Sequence, residues 1–244
     1  MPLEKFSVLN PDRKALVRSL AAHCCAADGT SLSFPEEDAE LYLLYYAENG
    51  CLLSAAAFSP EEGGGYDCSA FTRPEFRNRG LFSLLLDTAE ELLPEESDFF
   101  FYVDEHSSDT VKALHALGAD LLSREHMMER PAGNTESLPA PLAAVRSLCG
   151  STESGRPVFL YSCPYGSLTI AEYGDSYYLY GFEIQPRHRG RGYGKSFLSG
   201  VLSDLSRLSS RPVRLQVSGD NLPALTLYEK TGFLITETLS RYLY

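Results

Sequence analysis

The sequence predicts an α/β (α+β) fold built twice, each copy a mixed central sheet flanked by helices. Three observations predict it. First, Pro74 followed by Arg77-Asn78-Arg79-Gly80 returns as Pro186 followed by Arg189-Gly190-Arg191-Gly192, 112 positions on. Second, each copy opens an apolar helix. Leu81, Leu84, Leu85 and Leu86 follow the first copy; Phe197, Leu198, Val201, Leu202, Leu205 and Leu208 follow the second at helical spacing. Third, each helix leads to a strand-like run, residues 98–103 and 213–217, and then to a short helix. That helix closes on Gly118 or Gly232, where a C-terminus favours positive φ.

The remaining elements follow in order. Residues 10–27 read as a helix with Ala15, Leu16, Leu20 and Ala21 on one side. Residues 39–47 and 51–58 read as antiparallel strands, because Asn49-Gly50 between them favours a tight turn. Residues 158–163, 167–173 and 177–184 read as successive strands, with turns at Gly166 and Gly174-Asp175. Strand, glycine-rich turn, helix and strand join a parallel pair through the helix. Residues 131–140 hold proline, glycine and small polar residues with no apolar period, which is linker composition. The expected division is therefore a first domain over 1–130, a linker over 131–140 and a second domain over 141–244. The second is short, so its leading helices are expected to be reduced or missing.

Composition narrows the function. At 44% hydrophobic and 22% charged, the chain is neither disordered nor a coiled coil. No apolar run approaches the roughly 20 residues of a membrane-spanning helix, and no basic start precedes an apolar core. A soluble, cytoplasmic protein with no membrane partner is expected. Six cysteines show no C-x-x-C pair, so they read as reduced thiols, mostly buried, with no metal site. The net charge of −12 is uneven: residues 1–130 carry −14 and the rest +2. So acidic a half excludes a nucleic-acid partner. The clustered Arg187, Arg189, Arg191 and Lys195 point instead to one small anionic ligand.

The strongest chemical feature is Arg189-Gly190-Arg191-Gly192-Tyr193-Gly194-Lys195, set between a strand and a helix. Its glycines let the main chain approach a ligand closely. The helix start adds unpaired N–H groups and the positive dipole end, a pocket for phosphate or pyrophosphate. Spacing excludes a P-loop, since Gly190 to Gly194 is one residue short of G-x-x-x-x-G-K-[ST]. It also excludes a Rossmann turn, because the glycines run G-x-G-x-G. What fits is Arg-x-x-Gly-x-Gly. Further on stands Asn221-x-x-Ala224-x-x-Leu227-Tyr228-x-Lys230-x-Gly232-Phe233. In structural terms Asn221 caps a helix, with Pro223 tolerated in its first turn, and Tyr228 is a core or helix-surface residue.

With these two motifs the sequence resembles the GNAT superfamily of acyl-CoA-dependent N-acyltransferases. The resemblance is carried by Arg189, Gly192 and Gly194 in the family's Q/R-x-x-G-x-G/A, and by the Asn221–Phe233 motif. It covers roughly residues 158–244; the first half matches more weakly, so the whole chain resembles a tandem GNAT protein. The resemblance implies acetyl-CoA as co-substrate, held by Arg189, Gly190, Arg191, Gly192, Tyr193, Gly194 and Lys195. It implies that the strand edge at Phe182 and Ile184 pairs with the pantetheine amides and leaves its parallel neighbour, opening a gap for the ligand. Asn221 and Tyr228 then face the same ligand, with Tyr228 as general acid for the leaving thiolate. Glu183 is the candidate general base. If Phe182 and Ile184 point inward, alternation turns Glu183 away, and Tyr178, Tyr180 or a water chain are alternatives.

The first half departs from the motif. Phe82 stands where the second small residue belongs, Leu114 at the tyrosine position and Ser107 at the asparagine position. Residues 1–130 therefore read as a degenerate copy. The expected activity is acetyl transfer to a primary amine of a small-molecule or peptide acceptor, by direct transfer in a ternary complex. The alternative is a non-catalytic acyl-CoA-binding or assembly module. The acidic first half would favour a cationic acceptor if its charge lines the mouth. Tandem copies could bury in cis the surface that single-domain relatives bury by dimerising, which is compatible with a monomer.

Overall fold

The computed structural model describes residues 2–133 and 140–244, so positions 134–139 of the expected linker lie outside the described residues. The chain divides into two units: residues up to Ser123 together with Leu239–Tyr244, and Arg124–Thr238.

In the first unit a short strand β1 (Leu3–Phe6) precedes α1 (Pro11–Asp28). Asn10 caps that helix, its Oδ1 accepting from Arg13 N at 2.9 Å, and Gly29 ends it at φ 70°. Val17, Leu20, Ala21 and Cys24 form its buried stripe. Leu16, expected on that side, is 42% exposed, because the buried stripe begins one residue later. The stripe packs against Tyr42, Leu44, Ala55 and Ala57 of β2 (Leu41–Tyr46) and β3 (Leu52–Pro60). Next come β4 (Tyr66–Thr72), α2 (Leu81–Leu92), β5 (Phe99–Asp104) and α3 (Ser108–Leu117). On the other sheet face, Leu85, Leu86 and Ala89 of α2 and Leu114 of α3 meet Phe58, Cys68 and Phe101. The pair β4–β5 is parallel, joined through α2, and the earlier pairs are antiparallel.

The second unit contains most of β6 (Asp120–Arg130), then β7 (Val145–Ser151), β8 (Pro157–Cys163), β9 (Gly166–Glu172) and β10 (Tyr177–Ile184). After them come α4 (Tyr193–Leu208), β11 (Val213–Ser218), α5 (Leu222–Glu229) and β12 (Leu234–Leu243). Strand order is β6-β11-β10-β9-β8-β7, with β10–β11 parallel. Phe197, Leu198, Val201, Leu202 and Leu205 of α4 bury against Tyr161, Leu168, Ile170, Leu179 and Leu215. Among the described residues no α-helix precedes α4 in this unit.

The division differs from the boundary expected over 131–140, and strand exchange is the reason. Residues 125–130 of β6 pair antiparallel with β11, and Met128 is buried in the second unit's core. Leu239–Leu243 of β12 pair antiparallel with β5, and Tyr242 is buried in the first unit's core. Each half of the sequence lends its last strand to the other unit. The six cysteines are free thiols; Cys24 and Cys68 are buried, whereas Cys149 is exposed on the edge strand β7.

Candidate active site

Two parallel strands part in the second unit. The β10–β11 register runs Tyr177 with Val213, Tyr178 with Arg214 and Leu179 with Leu215, and stops there, although β10 continues to Ile184. On its other side β10 stays paired with β9, with a register shift between Tyr180 and Glu183 where Gly181 takes φ 60°. The main chain at Phe182–Ile184 thus has a strand partner on one edge only.

The chain then turns through Pro186–His188 into the glycine loop. Arg189 Nε donates to Ile184 O at 2.8 Å, which ties the loop back to β10. Gly190 and Gly192 adopt φ 71° and 79°, a region that favours glycine, and nothing lies within 4 Å of where a side chain would start. Gly194 is more enclosed: a Cβ there would meet Ile184 Cγ1 at 3.4 Å and Leu227 Cδ2 at 3.8 Å. Those are ordinary contact distances, so this position has room for a Cβ but little more. The first main-chain bond of α4 runs from Ser196 N to Gly192 O, and no side chain caps this end. The amides of Tyr193, Gly194 and Lys195 therefore lack helical acceptors. Below the loop, Tyr193 stacks on Tyr165 at 3.9 Å with His188 edge-on to both rings. Arg191 is exposed and Lys195 half-buried.

Tyr228 closes the same corner. It lies on α5, buried, with its ring 6.4 Å from Phe182 and 5.6 Å from Phe233. Burial alone pushes its phenol up to about 12 from the usual 10. Asn221 caps α5, its Oδ1 accepting from Ala224 N at 3.3 Å, and is exposed. The structure thus brings Phe182, Ile184, Gly194 and Tyr228 together. Glu183 faces away from them, exposed, with Oε1 3.7 Å from Arg189 Nη2. Among the described residues no group of three His, Cys, Asp or Glu side chains is arranged to hold a metal ion.

The first unit repeats the backbone and not the chemistry. Parallel pairing of β4 with β5 ends at Cys68 and Phe101, and Gly80 at φ 76° opens α2. Here, though, Arg77 is held by Asp28 through two contacts of 2.7 Å and by Asp109 at 3.4 Å. Phe82 packs edge-on against Phe101 at 5.8 Å, and Leu114 is fully buried. Sequence reasoning missed Asp28 as the partner of Arg77; a contact across 49 residues leaves no periodic trace.

The chain is similar in structure to a GCN5-related N-acetyltransferase from Sphaerobacter thermophilus, at 15% identity and TM-score 0.68, over 100% of this chain and 95% of that one. It is also similar to a tandem GNAT protein from the clavulanic acid biosynthesis pathway, at 14% identity and TM-score 0.63, over 99% and 98%. An acetyltransferase of the GNAT family from Colwellia psychrerythraea matches over the full length of both chains at 11% identity and TM-score 0.59. Among curated proteins none matches the chain. At these identities the likeness shows the fold. The profile of the acetyltransferase (GNAT) family matches twice, over residues 16–119 and 146–233, once in each copy and over most of the sequence. The chain belongs to the acetyltransferase (GNAT) family.

Proposed function

We propose that the protein is an acetyl-CoA-dependent N-acetyltransferase whose working site lies in the second unit, moving an acetyl group directly to a primary amine of a small-molecule or peptide acceptor. The observation that supports this most is the early end of β10–β11 pairing beside an uncapped α4. An open strand edge can take extended amides, and the bare N–H groups of Tyr193, Gly194 and Lys195 can take phosphate oxygens. Bound there, acetyl-CoA supplies the thioester that is the acetyl donor. Gly190 and Gly192 leave clearance for a diphosphate, and Arg191 and Lys195 add positive charge.

Tyr228 is the proposed general acid. Its phenol stays protonated across the physiological range, so Oη has a proton to give a departing thiolate. Glu183 is the proposed base. It is exposed and faces away from Phe182 and Tyr228, so it would take the amine proton through a water chain, with Tyr178 and Tyr180 as the other candidates. Asn221 keeps α5 in register through its cap. In the first unit Arg77 is already neutralised and Leu114 has no proton to donate, which favours a single working site.

The test is coenzyme A thiol release from acetyl-CoA with a panel of amines. Release that depends on one amine class and yields the N-acetyl product supports the reading. Binding of acetyl-CoA with no amine raising release above hydrolysis overturns it and leaves a binding module.

A further inference from the structure

Alternation breaks once in β10, and the break gathers three side chains on one face. Tyr178, Tyr180 and Glu183 stand opposite Ala171, Thr169 and Ser167 of β9; the register shift between Tyr180 and Glu183 adds the residue that keeps Glu183 on the side of the tyrosines. Leu168 and Ile170, which alternate with those β9 residues, are buried under α4, so the three side chains line the sheet face turned away from α4. Tyr180 and Glu183 lie beyond Leu179, where β10 has already left β11. Tyr180 is 45% exposed, and its ring stands 6.3 Å from that of Tyr178 at a tilt of 34°.

Charge and shape decide which amine suits this strip. Along β10 the face carries one carboxylate, Glu183, which attracts an ammonium group, and two phenol rings stand beside it. Burial pushes the Tyr178 phenol above its usual value, so it meets a ligand uncharged. Leu160, opposite Thr169, extends the strip with apolar surface. Arg214, opposite Tyr178, is held by Glu129 at 2.8 Å and Asp175 at 3.3 Å. A carboxylate next to the amine, as in an α-amino acid, would meet the like charge of Glu183. A polyamine would carry further ammonium groups onto a stretch where Glu129 and Asp175 already serve Arg214. An aromatic ring on the amine instead finds two ring partners, and offset or edge-on contact with them adds to its burial.

We infer that the acceptor is a primary amine on a short alkyl arm from an uncharged aromatic ring, the ring packed on Tyr178 and Tyr180 and the ammonium turned toward Glu183. This inference rests on the acetyl-transfer reading above and narrows it: Tyr178 and Tyr180 select the acceptor by its ring, whichever group takes the proton.

The experiment uses the full chain with acetyl-CoA and measures kcat/KM for 2-phenylethylamine, phenylalanine, spermidine, glucosamine and propylamine. 2-Phenylethylamine is expected to exceed each of the others by about tenfold or more. Tyr180→Leu should cut its advantage over propylamine by about fivefold or more, whereas Tyr180→Phe, which keeps the ring and removes the phenol, should preserve it. If Tyr180→Leu does not fold, Tyr178→Leu serves instead. Another acceptor equal to or better than 2-phenylethylamine, a full advantage in the folded leucine variant, or an advantage lost in Tyr180→Phe overturns the inference and leaves acetyl transfer standing. Thiol release that no amine raises above hydrolysis overturns the acetyl-transfer reading, and this inference with it.

Discussion

Leu179 on β10 stands opposite Leu215 on β11, and theirs is the last pair before the two parallel strands separate. Both side chains are buried under α4, so the junction is anchored by the core and not by a ligand. The gap is built into the fold, and the residues that face it carry the expected consequences.

Tyr228→Phe should lower kcat by about 100-fold, the low end of general acid catalysis, with acetyl-CoA affinity unchanged. The ring and its contacts with Phe182 and Phe233 survive the substitution, so stability should change little. Steady-state kinetics beside calorimetric titration check this; an unchanged kcat removes Tyr228 from the chemistry.

Glu183→Gln should reduce kcat about tenfold or more, leaving the melting temperature in place. Glu183 is exposed and meets Arg189 only at 3.7 Å, a pair worth little to the fold. A variant that keeps the wild-type rate would hand proton removal to Tyr178, Tyr180 or water.

Alkaline stability should report the burial of Tyr228. Its phenol sits near 12 in the fold and near 10 when exposed, so the unfolded chain loses the proton first. The stabilisation is therefore intact below pH 10 and fades as pH rises toward 12. Denaturant unfolding at pH 9 and pH 12 should show wild type losing about 2–3 kcal/mol more than Tyr228→Phe. Equal losses would mean that water reaches the phenol.

Tyr242→Ala tests the strand exchange. Tyr242 pairs with Phe101 of β5 and is 1% exposed, so truncating it should cost about 3–5 kcal/mol, although it lies two residues from the chain end. Thermal unfolding checks this, and an unchanged transition would show that β12 is dispensable to the first unit.

What was legible in the sequence is what leaves a local period. Leu198, Val201, Leu202 and Leu205 announce α4, Gly190 and Gly192 announce the turn, and Asn221 announces the start of α5. Pairing partners leave none. Residues 125–130 fall within the expected first domain, yet they pair with β11, because the sequence of a strand does not name its neighbour. The grip of Asp28 on Arg77 was hidden for the same reason. The sequence did not show that Gly194, unlike Gly190 and Gly192, has Ile184, Leu227 and Phe182 within 4 Å of its Cβ position.

The most direct measurement is calorimetric titration of the full chain with acetyl-CoA, beside the double variant Arg191→Glu, Lys195→Glu. These substitutions reverse charge at the α4 entrance and leave the glycine turn intact. The account predicts one site per chain and at least tenfold weaker binding by the variant, about 1.4 kcal/mol. Two sites per chain, or full affinity in the variant, would contradict it.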